Sequence, residues 1–162
     1  MSLVYSVFVP HPPILVPEIG RGEESKCQAS LEAYREIASR LVQAEVETLI
    51  LVSPHAQLIK EGITLLTEEV VDGSFAQFGA EQVSLSFASD PVIIALFQKH
   101  LTGVLSVQGS LDHGALVPLY FLHKAGWHAK GMFCNAKTER ATAWMYWNDR
   151  AMAGKFSAGN ST

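Results

Sequence analysis

The sequence predicts one α/β domain with a mostly parallel central sheet flanked by helices, and three observations carry that reading. First, two apolar runs of strand length, Leu3–Val9 and Thr48–Ser53, stand on either side of a stretch with helical periodicity. Second, the later run is apolar without alternation, as a strand covered on both faces requires. Third, each run ends at a proline followed at once by a histidine, Pro10-His11 and Pro54-His55. Proline stops regular pairing and fixes φ. It therefore holds each imidazole in a stiff segment just beyond a strand's carboxyl end, the edge where open α/β sheets bind ligands.

Taken in order, Leu3–Val9 is a first strand by its β-branched and aromatic content. Pro10–Gly22 holds four prolines and two glycines and reads as an irregular loop carrying His11 and Glu18. From Glu23 the period changes: Leu31, Tyr34, Ile37, Ala38, Leu41 and Val42 share one helical stripe, with Glu32, Arg35, Glu36, Arg40 and Gln43 turned outward. Thr48–Ser53 then closes a strand, helix, strand unit, which predicts parallel first and second strands with a right-handed crossover. Ile63–Leu66 reads as a third strand and Glu68–Gly73 as a turn. Ser74–Ala80 carries two phenylalanines destined for the core or for a loop over the cleft. Val83, Leu85 and Phe87 alternate with polar residues as in a half-exposed strand. Asp90-Pro91 is an N-cap followed by proline at the first helical position, for a helix running to about Leu101. Val104–Val107 is a further short strand, and a buried helix begins at Asp112 or His113. Beyond His128 no strand is legible, and Trp144 and Trp147 fit one face of a helix over roughly Thr138 to Met152.

Bulk properties exclude several classes of function. At 162 residues there is length for one domain with a substantial core. Net charge is −4 with no Lys/Arg run, so the footprint of a nucleic-acid binder is missing. Apolar runs are strand-sized, well short of a membrane span, and the start lacks a basic n-region, so a cytoplasmic location is expected. Cys27 and Cys134 have no metal-finger spacing and read as free thiols, Cys134 being kept as a lesser ligand candidate.

Three histidines, His11, His55 and His113, stand at strand or helix ends that a parallel sheet points the same way. Two neutral imidazoles and a carboxylate make the facial triad of non-heme Fe(II). Zinc with a bound water is served as well. Glu18, Glu61, Asp72, Asp90 and Asp112 are the carboxylates considered. His113 at a helix N-terminus is depressed in pKa by the dipole and suited to act as a base, or else it is a solvent-facing neighbour of the capping Asp112.

The motifs His11-Pro12-Pro13-Ile14-Leu15-Val16-Pro17-Glu18-Ile19-Gly20, Ser53-Pro54-His55 and Leu111-Asp112-His113-Gly114 through Val117-Pro118-Leu119 resemble the class III extradiol ring-cleavage dioxygenases of the LigB type. The nearest branch is related to Memo proteins and is found fused to an AmmeMemoRadiSam system protein A domain. The resemblance covers about residues 3–127, a partial domain, and leaves 128–162 as an unmatched tail. It implies Fe(II) held by His11 and His55, with His113 near oxygen and substrate as an acid/base group. The partners it implies are a catechol-like small molecule and dioxygen. It also implies a carboxylate ligand and a further histidine from a later part of the fold, so a truncated LigB-type fold, possessing part of the site, is expected. Two other functions fit the residues: a non-catalytic Memo-like domain that binds a metal or partner, and a zinc-dependent hydrolase. An apolar sheet edge left by the missing strands predicts a homo-oligomer joined around Trp144 and Trp147.

Overall fold

The computed structural model describes residues 2–55, 62–136 and 143–149, the backbone alone at residues 2 and 143–149. Its elements are β1 (Ser2–Val9), a 3-10 turn (Pro13–Leu15), α1 (Pro17–Gly20), a second 3-10 turn (Glu23–Cys27), α2 (Gln28–Gln43) and β2 (Thr48–Ser53). There follow β3 (Ile63–Leu66), β4 (Val70–Phe75), a 3-10 turn (Ala76–Phe78), β5 (Ala80–Ala88) and α3 (Pro91–His100). The described chain ends with β6 (Val104–Val107), α4 (His113–Lys124), β7 (Lys130–Ala136) and β8 (Ala143–Asp149). Six strands form one sheet in the order β1-β8-β2-β7-β3-β6, and β4 and β5 pair as a separate antiparallel ribbon.

The α/β class holds, and the core shows why. Alternate residues of β2 serve opposite faces: Leu49 and Leu51 join the large cluster with Leu31, Tyr34 and Leu41 of α2 and Leu116, Leu119 and Leu122 of α4. Ile50 joins the smaller cluster with Ile93 and Ile94 of α3. Phe133 and its neighbours Met132 and Cys134 divide β7 in the same way. Both central strands are thus covered twice, which is why their sequences show no alternation.

Pairing is parallel between β2 and β7 and between β3 and β6, and antiparallel where β8 and β3 meet their other neighbours. β1 and β2 run the same way, as the strand, helix, strand pattern predicts. They are not neighbours, because β8 lies between them and pairs antiparallel to both. Their carboxyl ends, and the histidines that follow, therefore still face one edge.

Five expectations are corrected. The helix expected over Thr138–Met152 is replaced at Ala143–Asp149 by strand β8, because the slot between β1 and β2 presents backbone groups on both sides that a strand satisfies and a helix cannot. The strand missed after His128 is β7. It was hidden by Gly131, where an added Cβ would lie 2.2 Å from the Phe133 ring. Glu68–Gly73 is not a turn, since β4 starts at Val70 and buries alternate residues through Gly73. Glycine at 73 masks that period in the sequence, and a Cβ there would meet the Leu111 carbonyl oxygen at 2.8 Å. The prolines of Pro10–Gly22 start two short helical turns instead of a wholly irregular loop, with Pro13 and Pro17 at first-turn positions. Val42, expected on the inner stripe of α2, is 40 % exposed. Side chains around Trp144 and Trp147, the expected association surface, lie outside the described residues, and no described helix is long and apolar enough to cross a membrane.

Candidate metal centre

Each histidine of interest is delivered by a different end of regular structure. His11 follows β1 after Pro10, whose carbonyl accepts a hydrogen bond from the buried Tyr34 hydroxyl of α2. The imidazole is 6 % exposed. His55 sits two residues past the end of β2, beyond the buried Ser53, and is itself exposed. His113 opens α4, with Asp112 as N-cap.

A single carboxylate oxygen ties the last two together. Asp112 Oδ1 accepts the Gly114 N–H at 2.6 Å and the Ala115 N–H at 3.3 Å, as a capping residue should. It also accepts the Ser53 hydroxyl at 2.6 Å. The start of α4 is thereby clamped to the end of β2. Gly114 permits the approach, since a Cβ there would lie 2.4 Å from Ser53 Oγ and 3.0 Å from His55 Cδ2. Neither Ser53 nor Gly114 carries a chemical signal on its own; only the close approach reveals them.

The three imidazoles converge. His11 Nε2 and His55 Nε2 are 2.6 Å apart. Ring centroids of His11 and His55 lie 4.8 Å apart at 75°, those of His55 and His113 4.2 Å apart at 23°, and those of His11 and His113 5.8 Å apart. One nitrogen from each can be chosen so that all lie within 4.8 Å of one another. Phe78, from the turn between β4 and β5, packs edge-on against His113 at 5.4 Å, while Phe75 is wholly buried. The phenylalanine pair thus divides between core and site wall.

Electrostatics favour neutral rings at His11 and His113. Burial, then the neighbouring His55 and His113, hold His11 below the ordinary histidine range, against the opposing pull of Asp112 and the Val9 backbone. Despite that nearby backbone, His11 Nδ1 is buried and makes no hydrogen bond of ordinary geometry. Burial, then His55, lowers His113, with Asp112 opposing. Folding therefore suppresses protonation at both rings while the unfolded chain takes up protons near pH 6.5. Below about that pH the unfolded state binds more protons, so stability is full above the unfolded value and falls as pH drops toward the folded ones. Metal-free protein should accordingly melt at progressively lower temperature between about pH 7.5 and 5.5. A flat melting temperature across that window, read by circular dichroism, would contradict the depressed values.

The carboxylates considered from sequence do not join the cluster. Glu18 accepts the Tyr120 hydroxyl at 2.9 Å. Asp90 caps α3 and takes the Thr48 hydroxyl at 2.6 Å. Asp72 is exposed on β4, and Glu61 lies outside the described residues. Cys134 donates toward the Leu51 carbonyl, and burial pushes its thiol up to about 12, so it offers no thiolate. Among the described residues, the metal-capable group is His11, His55 and His113.

That donor set fits a first-row divalent ion. Imidazole suits iron, zinc and copper alike. Two imidazole nitrogens 2.6 Å apart also need something between their lone pairs, a proton or a cation. Against known proteins, the family described as catalytic LigB subunit of aromatic ring-opening dioxygenase matches residues 5–138, from β1 through β7. The chain is also similar to protein CA_C1420 of Clostridium acetobutylicum, 34 % identical over 143 residues. That similarity covers 76 % of this chain and 30 % of the relative.

Proposed function

The chain belongs to the family of the catalytic LigB subunit of aromatic ring-opening dioxygenases, and from that premise we propose that it is an Fe(II)-binding, extradiol-dioxygenase-like domain acting on a catechol-type ring. The observation that carries this reading is the convergence of three imidazoles at one sheet edge. His11 and His55 are the residues that would hold the metal. Bound there, ferrous iron supplies a meeting point for dioxygen and the two oxygens of a diol.

The chain's own residues supply the rest. His113, held low in pKa, can accept a proton from a substrate hydroxyl at a ring nitrogen. Phe78 gives an apolar wall on its flank, suited to a flat aromatic ring. The Ser53–Asp112 contact fixes the spacing of His55 and His113. The domain proposed takes in residues 3–127 together with β7, whose pairing with β2 completes the sheet centre.

The test is protein reconstituted anaerobically with Fe(II), then given catechols and oxygen. Oxygen uptake with a product equal to substrate plus both atoms of dioxygen supports the proposal. Stoichiometric iron without turnover of any catechol favours the second reading, a non-catalytic metal-binding domain. That second reading draws on the lack of a carboxylate in the cluster among the described residues.

A further inference from the structure

We infer that His123 and His128 form a second metal site, at the opposite end of α4 from the sheet-edge cluster, that takes a divalent first-row ion of the zinc or copper kind. His113 opens α4 and His123 lies in its last turn, about 15 Å further along the helix at 1.5 Å per residue. The site is thus separate, and the inference does not depend on what the sheet-edge histidines hold. Three observations argue for it.

The first is spacing. The two rings stand 5.0 Å apart between centroids at 83°. Zinc–imidazole bonds of about 2.0–2.1 Å place each ring centre about 3.2 Å from the ion, and two such arms near a tetrahedral angle put the centres about 5 Å apart. The pair His11 and His55, proposed to hold the metal at the sheet edge, has nearly the same relation, 4.8 Å at 75°.

The second is construction. The chain leaves α4 through a reversing turn of fixed shape. Gly126 N–H donates to the His123 carbonyl and Trp127 N–H to the Leu122 carbonyl, both at 3.0 Å, with Gly126 at φ 90°. The buried Trp127 indole anchors the turn by donating to the Val46 carbonyl at 3.2 Å. Whatever follows Trp127 is therefore brought back beside the end of the helix, and His128 comes to rest against His123. His123 also packs edge-on to Phe87 at 6.3 Å. Two imidazoles held together before an ion arrives lose little freedom in binding it.

The third is availability. Both histidines are exposed, and among the described residues no hydrogen bond engages their rings. The neighbouring Lys124 ammonium lies over the Tyr120 ring at 5.4 Å, one turn back along α4. The negative end of the helix dipole favours a cation at this terminus. Two protein ligands are fewer than a closed structural site has, so water completes the shell and the ion is exchangeable.

The test is Zn(II) titrated calorimetrically into His55→Ala/His113→Ala protein, which keeps the buried His11 but lacks the other two rings of the sheet-edge cluster. One equivalent should bind. His123→Asn and His128→Ala, each added to that background, should weaken it by at least about 10-fold, the low end of the cost of losing even an indirect partner. His100→Ala, which removes an exposed histidine at the end of α3, should change nothing. Circular dichroism checks the fold of each variant. Should the background fail to fold, the wild type serves, and His128→Ala should cost it one of its zinc equivalents. Absence of Zn(II) binding in the folded background would overturn the site. So would two weak equivalents of which each substitution removes one, because the rings would then bind metal separately.

Discussion

His11→Ala and His55→Ala should each bind Fe(II) about 100-fold more weakly than wild type, or worse, in anaerobic titration. Even partners one step removed from a metal typically cost 10- to 100-fold, and these two rings present their Nε2 atoms to each other at 2.6 Å. The variants should differ in stability. His11 is 6 % exposed, so its truncation also removes packing from beside the core. His55 is exposed, and its loss should leave the metal-free melting temperature nearly unchanged. His55→Ala is therefore the cleaner probe. Since a ligand that binds only the folded state stabilises by RT ln(1 + [L]/Kd), Fe(II) at about 100 times the wild-type Kd should add about 2.7 kcal/mol to wild type. The same concentration should add little to either variant. Equal affinity in all three proteins would sink the assignment of both ligands.

What was legible in the sequence was what depends on local chemistry. Proline after an apolar run marks a strand end wherever that strand pairs, so His11 and His55 could be placed at sheet edges before any pairing was known. Asp90-Pro91 and Asp112-His113 announced helix starts because capping involves residues two and three positions apart. Non-local partnership was not legible. β8 takes its conformation from the two strands beside it, and its alternating aromatics fit a helix face nearly as well. β4 and β7 were obscured by Gly73 and Gly131, which break an apolar period because a neighbour occupies the space of their side chains. At the site, the residue types announced His11, His55 and His113. Glu18 could be seen as a carboxylate, but not that Tyr120, more than a hundred positions away, would engage it.

Asp112→Ala should be the most damaging substitution that touches no histidine, and β2 explains why. The first and last residues of that strand each donate a hydroxyl to the aspartate that caps a helix: Thr48 to Asp90 for α3, Ser53 to Asp112 for α4. Removing either aspartate loses a cap, about 0.5–2 kcal/mol, and strands a buried hydroxyl, about 1–3 kcal/mol. A combined loss of roughly 2–4 kcal/mol is expected for Asp112→Ala and for Asp90→Ala alike, measured by urea unfolding. The two should part at the metal. Asp112 holds the end of α4 against Ser53 and His55, so its loss frees His113 from His55 and should weaken metal binding by about 10-fold or more. Asp90 braces the opposite end of β2 and should leave affinity unchanged. Ser53→Ala removes the tie but keeps the cap, so it should reproduce the affinity loss at a smaller cost in stability. A double-mutant cycle between Ser53 and Asp112 should then show coupling of about 1.5–3 kcal/mol, the range for a hydrogen bond to a charged group. If Asp90→Ala weakened the metal as much as Asp112→Ala, the clamp would be no more than a general brace of the fold, and the spacing of His55 and His113 would need another cause.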